Sequence, residues 1–201
     1  MTAPTMTLTL ASTSAIRRQI LTNAGIAFDA VGAQVDEDAL KVGLRAEGFS
    51  PRDQADHLAE AKAVKVSRAR PGLVLGCDQI LALDGVAFDK ADTLEEAALR
   101  LRALRGKTHV LECAAVMARD GIPIWRLVKT ARLTMRDFSD AFLDEYLHQY
   151  GQDSLASVGC YQYEGAGAHL FSRVDGDYFA ILGLPLLEVL DVLRNHGVVA
   201  S

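Results

Sequence analysis

Apolar residues along the chain fall into two patterns, short unbroken runs and helix-spaced stripes, which alternate irregularly. Residues 7–11 alternate and are rich in Thr and Leu, which predicts a strand. In the following AIRRQILTNAG, Ile16, Ile20 and Leu21 share one helical face, and Gly25 marks the stop. Residues 28–35 read as a second strand, ending in Asp36-Glu37-Asp38. Ser50-Pro51 supplies an N-cap and a first-turn proline, so a helix should run from there and stop before Pro71. Leu58, Ala61 and Val64 mark its apolar face, with Lys62 and Lys65 elsewhere. LVLGCD and QILAL then read as two covered strands, with Asp78 at the end of the first and a turn at Asp84-Gly85. Thr93 and Glu96 form a capping box for a helix to Leu104, broken by Gly106. Residues 108–118 and 124–135 read as long extended segments joined by a turn at 119–123. Ser139 caps a helix to about Tyr150, and the glycine-rich stretch 151–167 reads as a long loop of the kind that often carries function. Residues 178–182 read as a short strand, and Pro185 opens a last helix ending near His196. Adjacent strand pairs interspersed with helices predict an α/β fold, a mixed sheet flanked by helices.

Composition narrows the function classes. At 201 residues, half of them hydrophobic, the chain fits one domain with material for a core. A formal net charge of −5 argues against a general nucleic-acid binder, although a local basic cluster can still hold a small anion. Cys77, Cys113 and Cys160 lack C-x-x-C spacing, which suggests reduced thiols and a cytoplasmic compartment. No zinc-type histidine spacing occurs. MTAPTMTLTLAS has neither a basic leader nor a long apolar core, so no signal peptide is expected, and no run is long enough to cross a membrane.

Four features carry candidate chemistry. Asp78 interrupts an apolar stretch, where a carboxylate needs a metal, a cation or water; alone, it reads equally well as a turn residue. Ser14 caps a helix whose first N–H groups can bind an anion. Arg17 and Arg18 oppose the helix dipole in that first turn, and an anion in front of it would reconcile them. Lys62 and Lys90 add positive charge, though each would also be ordinary as a solvated lysine. Glu37 and Asp78 together offer oxygen ligands to a hard divalent cation. Such a set suits phosphoryl transfer or pyrophosphate cleavage, and no Walker A pattern is present.

ASTSAIRRQIL, VDE at 35–37, LAEAKA at 58–63, GCDQ at 76–79, DGVAFDKA at 84–91, EGAGAHLF at 164–171 and AILGLPL at 180–186 stand in one order along nearly the whole chain. That ordered set resembles the Maf family of nucleoside triphosphate pyrophosphatases. The resemblance implies an α/β fold with two lobes around a deep cleft, similar to inosine triphosphate pyrophosphatases. It also implies hydrolysis between the α- and β-phosphates with a divalent metal, Mg²⁺ or Mn²⁺, and a homodimer. By position, Asp78 would accept the proton of the attacking water, and Glu37 would assist the metal or the water. Ser14, Arg17, Lys62 and Lys90 would grip the triphosphate. Ile16, Gln79 and Glu164 would set the choice of base, and GCDQ with Glu164-Gly165 is most similar to the 7-methyl-GTP pyrophosphatase branch. The chain departs from the family at Ile16, where that branch carries an aromatic residue, at Ala15 for proline, and at Asp89 and Ala91, which flank Lys90 in place of Gly and Pro. A pyrimidine or broad-range substrate is the same-class alternative. A non-catalytic regulator of septum formation, a role also associated with the family, is the alternative from another class.

Overall fold

A computed structural model gives the architecture of residues 7–200. The elements run β1 (Leu8–Leu10), α1 (Ala15–Asn23), β2 (Asp29–Ala30), α2 (Glu37–Ala46), α3 (Pro51–Ser67), β3 (Leu73–Leu83) and β4 (Val86–Phe88). They continue with α4 (Leu94–Leu104), β5 (Thr108–Arg119), β6 (Ile122–Met135), α5 (Asp140–Ser154), a 3-10 turn (Ala166–Leu170), β7 (Phe171–Asp175), α6 (Tyr178–Ile181) and α7 (Leu186–Asn195). The strands form one mixed sheet in the order β2-β1-β3-β5-β6-β7, with β4 also on β3. β1 lies parallel to β2 and β3, and every other pairing is antiparallel. The expected mixed α/β architecture is therefore present.

β3 organises the molecule. The sequence placed Asp78 at the end of a strand, but the backbone passes through it without a break, and Val74 to Ala82 pair continuously with β5. The opposite edge of β3 is divided. β1 covers Leu73 to Leu75 and β4 covers Leu81 to Leu83, which leaves residues 76–80 with no strand beside them on that edge. β1 stops because the chain turns at Ser12–Ser14 into α1, while β4 returns through a tight turn with Asp84 and Gly85 at φ of 51° and 81°. Both values are left-handed, as a two-residue hairpin of matching twist requires. The two lobes follow from this division. Leu75 and Cys77 pack with α1, β1 and α7, whereas Leu81 and Leu83 pack with α4, α5 and β6. The gap between the lobes falls at Asp78.

α3 covers the other face of the sheet through Ala55, Leu58, Ala59 and Ala63, packed against Ile80, Ala114 and Val116. The sequence put Lys62 off the apolar face of this helix. It lies on the buried face, between Ala59 and Ala63, because two carboxylates wait beneath it. Other boundaries shift for local reasons. The strand expected at 28–35 shrinks to β2, because Gln34 is left-handed at φ 51° and Asp36 caps α2, a helix the sequence reading missed. Residues 178–181 are helical, because the Asp177 side chain accepts the Ala180 N–H and caps a single turn. α5 runs to Ser154, shortening the loop expected from 151, and β7 was missed. Among the described residues no helix is long and apolar enough to cross a membrane. Residues 1–6, on which part of the signal-peptide reading rests, lie outside those described.

Candidate active site

A cleft of about 750 Å³ opens at the unpaired edge of β3. Ser14, Ile16, Arg17, Glu37, Lys62, Asp78, Gln79, Lys90 and Glu164 all line it, so the residues singled out along the sequence meet in one place. Arg18 does not; its guanidinium turns back to the Thr13 carbonyl.

The α1 end is built from hydroxyls and a guanidinium. Ser14 Oγ accepts the Arg17 N–H, and Ser12 Oγ accepts the Ser14 N–H, so the turn entering the helix is held by its own side chains. The Arg17 side chain then crosses to β3. Its Nε donates to the Gly183 carbonyl at 2.7 Å and its Nη1 to the Cys77 carbonyl at 2.9 Å, which satisfies a backbone acceptor left open at the gap in the sheet. Among the described residues Nη2 makes no hydrogen bond and is left to donate to a ligand. Gly183 was not singled out from the sequence, because nothing local links it to Arg17.

The centre is a carboxylate–ammonium–carboxylate bridge. Lys62 Nζ donates to Asp78 Oδ1 at 2.6 Å and to Glu37 Oε2 at 2.9 Å. The Lys62 and Asp78 side chains are 8% and 9% exposed, and that of Glu37 is 42% exposed, so the bridge runs from the buried strand to the cleft mouth. Each carboxylate keeps a second oxygen free of Lys62. A second pocket of about 480 Å³ adjoins the first and shares Glu37, Asp78, Gln79 and Lys90 with it. Asp78 therefore lines two adjoining chambers.

Lys90 sits at the same mouth. Among the described residues it has no carboxylate within ion-pair distance, because its neighbour Asp89 is taken by Arg45 through two 2.8 Å bonds and by Lys41 at 3.4 Å. This tie joins α2 to the Lys90 loop. Partial burial, and then the Arg17 and Lys62 cations, hold the Lys90 ammonium below the ordinary lysine range. A partly buried cation with no ion-pair partner among the described residues suits a site that receives an anion. Lys90→Met is therefore expected to raise KM for a triphosphate about tenfold or more, since it removes a charge-assisted bond, while leaving the thermal midpoint level or slightly higher. Lys90 loses its charge earlier than a free lysine, so wild-type kcat/KM should fall as pH rises toward, but still below, the usual lysine range. That limb should flatten in the variant, and a retained limb would assign it to another group.

On the third wall, Gln79 Nε2 donates to both the Ala180 and Ile181 carbonyls at 2.9 Å. Two carbonyls around one atom require the NH₂ there, so the Gln79 carbonyl oxygen is the end left to read a ligand. Glu164 reaches the cleft from the loop between α5 and the 3-10 turn, together with Val158, Tyr161 and Tyr163. The two tyrosines were not singled out from the sequence. Their signal was the aromatic spacing of CYQYEG inside a stretch read as a loop.

Comparison with known proteins fits this geometry. The sequence model of the Maf-like protein family matches residues 7–196. The chain belongs to the Maf family. Relatives include a Caulobacter vibrioides protein named nucleoside triphosphate pyrophosphatase, 59% identical over 94% of this chain and 96% of its own length. A Hyphomonas neptunium protein of the same name is 50% identical over 98% and 99%. A Brucella abortus relative, 48% identical over 96% and 97%, is named 7-methyl-GTP pyrophosphatase. Both kinds of name thus occur among Maf relatives at similar identity.

Proposed function

We propose that this Maf protein hydrolyses a nucleoside triphosphate to the monophosphate and pyrophosphate, with Asp78 as the proton acceptor for water. The observation that carries the reading is the convergence on one unpaired strand edge of the Asp78–Lys62–Glu37 bridge, an unpartnered Lys90 and the open end of α1. Lys62 holds the Asp78 carboxylate through Oδ1 and leaves its other oxygen to take the proton of the attacking water. Arg17, Lys90 and the first N–H groups of α1 receive the phosphate oxygens, where charge builds as the anhydride bond breaks. The cleft's cations, Arg17, Lys62 and Lys90, are matched by the carboxylates of Glu37, Asp78 and Glu164, so a polyanion would arrive without net compensation.

That balance favours a divalent cation entering with the substrate. Glu37 keeps one oxygen for it, and the free Asp78 oxygen would face a water on that ion, an arrangement that fits Mg²⁺ or Mn²⁺ shared with phosphate. Such an ion supplies Lewis-acid polarisation and a more acidic bound water. The three thiols are unpaired and buried, which supports a cytoplasmic setting.

The base is proposed to be a modified purine such as 7-methylguanine. The Glu164 carboxylate and the Gln79 carbonyl are both acceptors, matching the N–H donors of a guanine edge, and Glu164 favours a base made cationic by methylation. Ile16 supplies an apolar contact where an aromatic face would stack better on a cation, and this favours a broad-range nucleoside triphosphate site as the second reading. Pyrophosphate release from 7-methyl-GTP, GTP, UTP and dTTP with Mg²⁺ or Mn²⁺ tests both readings. Release from none of them would remove the enzymatic proposal and favour a binding role such as regulation of septum formation. Glu164→Gln should cut the preference for 7-methyl-GTP over UTP about tenfold, the size of one charge-assisted bond. An unaltered ratio would place the choice of base elsewhere.

A further inference from the structure

We propose that His109 is a positioning residue for the nucleotide site, holding through Tyr161 the loop that brings Tyr163 and Glu164 to the cleft. The inference rests on the nucleotide reading above. His109 lies on β5, 1% exposed, and its Nε2 is 2.8 Å from Tyr161 Oη, itself on a residue 4% exposed. The pair sits inside the apolar core of the α4–α5 lobe, beside Leu133 and Leu170. Burial pushes the imidazole down to about 4, so it is neutral at physiological pH. Its Nδ1 is buried and has no hydrogen-bond partner among the described residues. Core filling alone would favour phenylalanine at both positions, since a half-satisfied polar pair costs more than an apolar one. The pair's other product is a fixed tyrosine.

The surrounding loop is built around that fixed point. Cys160, just before Tyr161, is left-handed at φ 57°, which turns the tyrosine inward. A Cβ on Gly159 would stand 2.2 Å from the Tyr161 ring, and one on Gly167 would stand 2.4 Å from the Gln162 carbonyl. Arg100 donates to the Val158 carbonyl at 2.7 Å. From Tyr161 the aromatic contacts continue: Phe171 packs edge-on at 4.8 Å, Tyr163 meets Phe171 at 5.8 Å, and Tyr178 meets Tyr163 at 6.1 Å. Tyr178 opens α6, whose carbonyls hold the Gln79 amide. One stack therefore links buried His109 to the two groups assigned to the base, while Asp78, Lys62 and Glu37 stand on β3, α3 and α2.

This division gives the test. Tyr161→Phe keeps the ring and removes the bond, and it should raise KM for the preferred nucleotide about tenfold with kcat within twofold of wild type. His109→Leu should act alike, and His109→Gln, which returns an amide able to donate or accept near the Nε2 position, should recover most of the loss. Should His109→Leu fail to fold, Tyr161→Phe and His109→Gln still decide. Unchanged KM in Tyr161→Phe, or a fall in kcat with KM unchanged, overturns the proposal. Wild-type pyrophosphate release is measured alongside. If the wild type turns over no nucleotide, the functional reading fails by itself, and amide exchange of residues 156–164 reads the clamp: faster exchange in Tyr161→Phe upholds it, and equal exchange overturns it.

Discussion

Asp78→Asn should abolish most of the activity and little of the fold. The amide is nearly isosteric, and its oxygen can still accept from Lys62, whose charge remains paired with Glu37. No buried cation is stranded, so the thermal midpoint should stay close to wild type. What disappears is the proton acceptor facing the water. Removing a general base costs about 10²–10⁴-fold, and that is the fall expected in kcat. KM should move much less, because Arg17, Lys90 and the α1 amides are untouched. Initial rates of pyrophosphate release at saturating nucleotide, with a melting curve on the same sample, check both halves. An unchanged kcat would take the base role from Asp78. A collapse of stability would show that the carboxylate charge serves the fold first.

The parts of the site that were legible in the sequence are those whose physics is local. Ser14, Ser50, Thr93 and Ser139 cap the helices they were expected to cap, because a cap joins groups three residues apart. Gly25 and Gly106 stop helices through left-handed φ, again a local property. Lys62 shows where this ends. Its partners lie 16 and 25 positions away, and only the packing of α3 on β3 and α2 brings a lysine flanked by Ala61 and Ala63 onto two carboxylates. Asp78 was misplaced for the same reason. Whether an apolar run continues through a carboxylate depends on β5 pairing alongside, which no window around residue 78 contains. α2 was a different failure. Asp36 as cap, acidic Glu37 and Asp38 in the first turn and Arg45 in the last were all visible, yet the acidic cluster was read as the end of a strand. The gathering of site residues came from the ordered motifs; their roles in holding one another, Arg17 on Cys77 and Gln79 on α6, came only from the fold.

Gly76→Ala should damage stability and catalysis together, from a position that touches no ligand. A Cβ there would lie 2.3 Å from the Ala59 carbonyl oxygen, 2.7 Å from the Ala63 nitrogen and 2.9 Å from the Ala63 Cβ. These are mostly backbone atoms of α3, so no side chain can swing aside and the helix itself must lift from the sheet. Overpacking of this kind costs about 1–3 kcal/mol, to be read as a lowered urea midpoint with little change in slope. The same displacement lifts Lys62, which sits on α3 between those two alanines and holds Asp78 at 2.6 Å. A shift of about 1 Å at a catalytic centre can cost about 10²-fold in rate. The folded variant should therefore show kcat depressed well beyond its fraction unfolded, whereas a strain confined to stability would leave kcat at wild type once corrected for folded enzyme. Wild-type midpoint and rate together would mean that α3 can yield at this contact. Glycine at 76 would then be permissive, and the short Lys62–Asp78 distance would have to be set by the charges themselves.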